Sequence, residues 1–414
     1  MPLPTFHTYH CILLLSLAVL GGCTSVIRNP VPEALYEQAS VLGRDDLRYW
    51  GDAAPPAEWA IFEDSHSTEL EQRYPAITHT EHNYLAISGG GANGAYGAGL
   101  LSGWSATGTR PEFTLVTGIS TGALTAPFAF LGTDYDQQLQ EVYTTLDTSR
   151  IFNRRKLISV IGNDSVVDAT PLVNTIEKYL TDELIEELAA QYRTGRNLHI
   201  GTSNLDAGRP VVWNIGRIAN SGHPDAPDLI RRILRASASI PGVFPPVYIQ
   251  VQGADGKTYD EMHVDGGTSS QMFLYPGRFD WTKLQKALNV KGKPTAYLIR
   301  NSFLQPEYEA VSPRLLPIVG KSVASLIRTQ GIGDAYRIYV IARRDGIDVQ
   351  ATWIPRDSIM VTSEEAFDPA YMSVLFEYGY QRATTGDAWV DIGEEIEERY
   401  QQSRGKAGEA TSSR

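Results

Sequence analysis

The chain has 414 residues, 42% hydrophobic and 20% charged, a globular composition large enough for one extended domain or two small ones. Its net charge of −12 argues against nucleic acid as a partner and against simple electrostatic docking on anionic lipid. Two cysteines, Cys11 and Cys23, cannot build a disulfide framework or a cysteine metal site, and no metal or cofactor is expected.

Residues 11–20 form a short apolar core, too short for a permanent membrane span but suited to a signal-peptide core. It runs into Leu20-Gly21-Gly22-Cys23, which resembles a bacterial lipoprotein signal. On that resemblance residues 1–22 are removed and Cys23 carries the lipid that attaches the protein to a membrane. None of the 22 residues is Asp, Glu, Lys or Arg, so the net charge is unaffected; the stretch before the apolar core offers only His7, His10 and the amino terminus. Thr24 after the cysteine, by resemblance to Gram-negative lipoproteins, favours the outer membrane.

Residues 23–80 read as a tether with short helices, one over Pro32 to Val41 and one over Trp59 to Arg73. A catalytic core is expected over 81–305. It opens with strand Tyr84–Ser88, the loop Gly89-Gly90-Gly91-Ala92-Asn93-Gly94 and a helix to Trp104. Strand 113–117 follows, then Gly118-Ile119-Ser120-Thr121-Gly122 and a helical run Ala123 to Leu131. Thr170 suits a helix N-cap with Pro171 behind it. Asn197–Ser203 and Val211–Ile215 read as strands around a turn, and Asp228–Ser239 as an amphipathic helix stopped by Pro241. Val247–Gln252 and Thr258–Val264 flank the hairpin signal Gly253-Ala-Asp-Gly256 and lead to Asp265-Gly266-Gly267. Ala296–Arg300 is a further strand. A C-terminal part, 306–402, is expected to pack on the core through helices Leu315–Arg328, Gly333–Arg343, Pro369–Ala383 and Glu394–Gln402, with strand Asp348–Trp353 among them. Residues 403–414 read as a disordered tail. Alternating strands and helices imply a three-layer α/β/α sandwich on a mainly parallel central sheet.

Strand, sharp Gly-x-Ser-x-Gly turn and helix is the context of a nucleophile elbow, with Ser120 at its tip and Gly118 and Gly122 giving room for close packing. The glycine loop before it is an anion cradle at a helix N-terminus. Gly89-x-Gly91-x-x-Gly94 also fits a dinucleotide fingerprint. That fingerprint expects an acid at the end of the next strand, where this sequence has the serine turn instead. An oxyanion hole is therefore preferred, donated by Gly90, Gly91 and Ala92. A serine also needs a base. Asp265 stands at a strand end with Gly266 and Gly267 leaving space around it; an ordinary Asp-Gly turn is the alternative. No histidine follows Asp265, so the order Ser, acid, His is not available from that residue. His263 shares its strand face and could be a base, but a strand histidine near the site is the preferred reading. Basic clusters Arg154-Arg155-Lys156 and Arg231, Arg232, Arg235 read as solvated faces or headgroup contacts, and Pro241–Pro246 as an acyl groove or a rigid connector.

Taken in order, the Gly-Gly-Gly-x-x-Gly loop, Gly-Ile-Ser-Thr-Gly and Asp-Gly-Gly resemble the patatin-like phospholipase family. Asp168-Ala-Thr-Pro-Leu172 and Ala236-Ser-Ala-Ser-Ile-Pro-Gly-Val-Phe-Pro245 strengthen the likeness, which covers about residues 83–305 and more weakly to about 385. One departure is Asn93, where the family often has Arg or Lys. The resemblance implies a Ser120–Asp265 dyad, an oxyanion hole in the glycine loop, and hydrolysis of phospholipid or another fatty acyl ester. A catalytically silent surface lipoprotein that binds lipid or protein is the alternative.

Overall fold

The computed structural model describes residues 28–53, 59, 62, 67–154, 165–306, 308, 310–355 and 365–393. The expected signal segment, Cys23, Arg155 and Lys156, the helix over 394–402 and the tail lie outside them. In chain order the strands are β1 Arg48–Trp50, β2 Asn83–Ile87, β3 Leu115–Gly118, β4 Asn153–Arg154, β5 Val167–Asp168 and β6 Asn197–Asn204. They continue with β7 Arg209–Asn214, β8 Val247–Gln252, β9 Thr258–Asp265, β10 Thr295–Phe303, β11 Asp348–Ile354 and β12 Val390–Asp391. Five helices matter most for the site: α1 Gly94–Ala106, α2 Thr121–Leu131, α3 Ala226–Ser237, α4 Leu315–Arg344 and α5 Pro369–Thr385.

One sheet runs β1-β7-β6-β3-β2-β10-β11-β12, with β9 on β6 and β8 on β9; β4 and β5 form a separate pair. Its centre, β6-β3-β2-β10-β11, is parallel, and both ends turn antiparallel. Short apolar runs such as Leu85-Ala86-Ile87 suit this position, because both faces of a parallel sheet are covered. Alternation sorts them: Leu85, Ile87 and Val116 enter the larger core with α1, α2, α3 and α5. Tyr84, Ala86 and Leu115 enter the other, with Trp281, Leu284 and Ile338. The chain is thus a mixed α/β sandwich of the kind expected from the sequence.

Four expectations change. First, the boundaries at 80 and 305 cut through continuous structure. β1 extends the sheet beside β7, and β11 pairs in parallel with β10. Arg28 spans Asp206 and Asp260, tying the segment before β1 to the β8–β9 hairpin. Proline and charge made 23–80 look like a linker, but strand pairing gives its backbone groups partners that a linker would leave to water. Second, the start of the 170–179 helix is held by Asp168, whose carboxylate accepts from the Thr170 amide at 3.0 Å, and not by Thr170 itself. Third, α4 is one helix of 30 residues where two were expected. Gly331 sits inside it because a Cβ there would lie 2.1 Å from Nη1 of buried Arg300 on β10. Fourth, the first half of α4 stands clear of the core, with Leu315 and Leu326 75% and 69% exposed.

The glycines of α1 have a packing role. A Cβ on Gly99 would meet the Phe376 carbonyl oxygen at 1.9 Å, and one on Gly379 would meet that of Tyr96 at 2.2 Å. The backbones of α1 and α5 therefore touch, which fixes α1 and the loop that precedes it.

Candidate active site

β2 and β3 pair in register, Ile87 opposite Gly118, so their C-terminal turns lie side by side. After β2 come Ser88, Gly89 and Gly90, then a 3-10 turn Gly91–Asn93 that feeds α1. After β3 come Ile119 and Ser120, then α2. Ser120 is held at φ 56°, ψ −127°, a sparsely populated backbone state for a residue with a side chain. Its neighbours explain how the strain is kept. The Ser120 amide donates to Ser237 Oγ at 3.0 Å, and that hydroxyl donates to the Gly201 carbonyl on β6 at 2.7 Å. The Ser120 carbonyl accepts from the amides of Ala123 and Leu124, starting α2.

Asp265 ends β9, which pairs antiparallel with β6, Asp265 opposite Thr202. β6 lies on β3 with Ile200 opposite Gly118, so two strand ends converge on one edge of the elbow. The Asp265 carboxylate accepts from the Gly267 amide at 2.7 Å and has the Ser120 side chain within hydrogen-bonding reach. The residue is 5% exposed. Burial raises its carboxyl to about 6, although the Ser120 and Gly267 hydrogen bonds act in the opposite direction. Gly266 is required by close approach: a Cβ there would stand 2.5 Å from the Gly201 carbonyl oxygen.

The glycine loop passes beside the serine. A Cβ on Gly89 would be 3.0 Å from Ser120 Cβ, and one on Gly90 would be 2.1 Å from the Asn301 carbonyl oxygen. Gly91 has φ +57° with open space around it, so conformation rather than crowding asks for glycine. The amides of Gly91 and Ala92 open a helical turn and so have no intrahelical acceptor. Gly94 fixes α1 against the elbow, since a Cβ there would lie 2.2 Å from Thr121 Oγ1. The N-termini of α1 and α2 thus meet beside Ser120, a favourable place for a developing negative charge.

His263 is not part of this arrangement. Its Nε2 pairs with Glu261 at 3.0 Å and its Nδ1 with Thr202 Oγ1 at 3.0 Å. Burial holds its pKa below the ordinary value. Burial works to raise Glu261, yet the bidentate contact of Arg48 brings it down to about 2. This buried Arg48–Glu261–His263 chain ties β1 to β9. Likewise Arg231 pairs with Asp182 and Arg232 with Asp228, as on a solvated helix face. Asn93 accepts from the Tyr371 hydroxyl at 2.8 Å and so joins the loop to α5. Among the described residues no group of three His, Cys, Asp or Glu side chains is placed to hold a metal.

Several contributors carried no signal of their own in the sequence. Ser237 lay in a quoted motif without a role. Gln271 bridges the Gly267 carbonyl at 2.8 Å and Gln330 of α4 at 3.2 Å, and its amide donates to buried Asp334 at 2.6 Å. Asn301 donates to the Ser88 carbonyl at 3.1 Å and accepts from the Gly97 amide at 3.1 Å, pinning the glycine loop.

Residues 85–276 match the model of the patatin-like phospholipase family. That span is a patatin-like phospholipase domain. No curated protein matches the sequence. Among solved structures, VipD from Legionella pneumophila is 13% identical, with a TM-score of 0.36 over 75% of this chain and 68% of VipD. The type III effector protein ExoU is 14% identical, with a TM-score of 0.34 over 74% of this chain and 52% of ExoU, so the match spans about half of that protein.

Proposed function

We propose that this protein hydrolyses fatty acyl esters of the phospholipid type through a Ser120–Asp265 dyad and an acyl-serine intermediate. The observation that carries the reading is the buried Asp265 carboxyl, raised to about 6, in direct reach of the side chain on the strained elbow. A carboxylate of that basicity is a better proton acceptor near neutrality than one at the ordinary value near 4.

Asp265 takes the Ser120 proton as Oγ attacks the ester carbonyl. The amides of Gly90, Gly91 and Ala92 hold the tetrahedral oxyanion. Collapse breaks the ester bond, and the leaving alcohol oxygen takes the proton from Asp265. Water then attacks the acyl-serine with Asp265 as base, and the free fatty acid leaves with Ser120 reprotonated. An apolar groove starts at Thr121, the next residue, and continues along Leu124, Phe128, Leu146, Leu172 and Ile176. Its lining suits an alkyl chain. Cys23, if lipidated, would hold the enzyme at the membrane that supplies its substrate.

The test is product analysis by mass spectrometry on a mixed lipid extract, with Ser120→Ala as control. Fatty acid release by the wild type alone supports the reading. Equal release by both would rule out Ser120 as the nucleophile, and none by either leaves the silent lipid-binding lipoprotein as the better account.

A further inference from the structure

The exposed half of α4 is unlike the rest of the surface. Leu315, Ile318, Val319, Val323, Leu326 and Ile327 are between 41% and 75% exposed. Leu315, Val319, Val323, Leu326 and Ile327 follow one another at steps of four, four, three and one, so at 3.6 residues per turn they share one side of the helix. Over thirteen residues this stripe is about 20 Å long. Monomeric proteins rarely leave such a continuous apolar strip in water.

The charges around it point to its occupant. From 310 to 333 the sequence has Arg314, Lys321 and Arg328 and no Asp or Glu, in a chain that carries 48 acidic residues against 36 basic. The three bases recur every seven residues, forming a line on the opposite, polar side of the helix. An apolar face backed by a basic one is the pattern of a helix lying in a membrane interface. The stripe is also continuous with the site. Two residues beyond Arg328, Gln330 hydrogen-bonds Gln271, which bonds the Gly267 carbonyl next to Asp265.

We infer that residues 315–328 lie in the surface of an anionic phospholipid bilayer and bring the Ser120 site to it. This rests on the lipid-hydrolase reading for its purpose but not for its test. In that position the local basic line outweighs the overall negative charge, because charges more than about 10 Å away are screened. No described helix is long and apolar enough to cross a membrane, and this one would lie flat.

The experiment floats full-length Ser120→Ala protein with vesicles of phosphatidylcholine, with and without 30% phosphatidylglycerol, and compares it with Ser120→Ala also carrying Val319→Glu, Val323→Glu and Leu326→Glu. Both share the same N-terminus, so any anchor there contributes equally. The expected result is at least a tenfold loss of bound protein in the multiple variant and stronger binding of the parent to the anionic vesicles. The same three substitutions on the active serine background should leave hydrolysis of a short soluble ester, and the melting temperature, unchanged. Equal flotation of both proteins overturns the inference. So does a shift from dimer to monomer on gel filtration without any change in flotation, which would assign the stripe to a second copy of the chain. Vesicle binding in a wild type that cleaves no ester would sink the proposed activity while leaving this surface standing.

Discussion

Ser237 Oγ accepts a hydrogen bond from the amide of Ser120 at 3.0 Å and donates its own to the Gly201 carbonyl at 2.7 Å, so one hydroxyl joins α3, the elbow and β6. The Ser120 backbone is in a state that costs on the order of 1–3 kcal/mol and persists only where its surroundings determine it. Ser237→Ala leaves a buried amide without its acceptor, a loss of about 1–3 kcal/mol. Denaturant unfolding should show that loss, and turnover of a soluble ester should fall because Ser120 is less well held. Full stability with full activity would mean that the hydrogen bond matters to neither.

Asp265 should govern the pH profile. A general base must be ionised, so kcat/KM is expected to rise through a midpoint near 6 and level off above about pH 7. Imidazole titrates in the same range, and His263→Gln separates the two. In that variant stability should fall, since Glu261 and Thr202 lose a partner, but the midpoint should stay. A midpoint that disappears with His263 would transfer the base role to it.

The same raised carboxyl has a stability consequence of opposite sign. Its folded value, about 6, lies above the ordinary value of 3.8, so the native state binds more protons between the two. Its contribution is fully present below about pH 4 and is lost as pH rises through 6. Asp265→Asn removes that loss, and at pH 8 it should unfold at higher denaturant than wild type, by roughly 1–3 kcal/mol, while being nearly inactive. An Asn variant less stable than wild type at pH 8 would contradict the cost assigned to the buried charge.

Two glycines of the loop should fail differently. Gly90→Ala drives a methyl to 2.1 Å from the Asn301 carbonyl oxygen and should yield little folded protein. Gly91→Ala meets no neighbour and should fold with a loss of about 1–2 kcal/mol from its left-handed backbone. Gly91→Ala keeps its backbone N–H, so kcat should fall by less than the roughly 100- to 1000-fold that losing an oxyanion donor costs. A folded Gly91→Ala protein that loses the full factor would show that the substitution moves the loop away from the oxyanion.

The sequence carried the local parts of this site well. Gly118 to Gly122 must be a tight turn because strand and helix signals abut on either side, and Asp265 is marked by a hairpin that can end only there. What it did not carry is what arises between distant segments. Ser237 meets Ser120 only because α3 crosses β6, and Gln271 matters only because α4 reaches back to it. The split placed near Gly331 reflects local propensity, which disfavours glycine in a helix by about 1 kcal/mol. Tertiary packing overrode it, because Arg300 occupies the space a side chain would need. Residues 23–80 read as a tether with short helices for a similar reason, since the partners of β1 and Arg28 on β7 and β9 lie some 160 to 230 positions away.

The most direct measurement is covalent labelling of Ser120 by a fluorophosphonate probe, followed by peptide mass spectrometry, in wild type and Asp265→Asn at pH 8. The account predicts a single adduct on the peptide containing Ser120, formed at least a hundredfold more slowly when Asp265 is Asn. An adduct on another residue, or equal labelling rates in the two proteins, would contradict a serine activated directly by that aspartate.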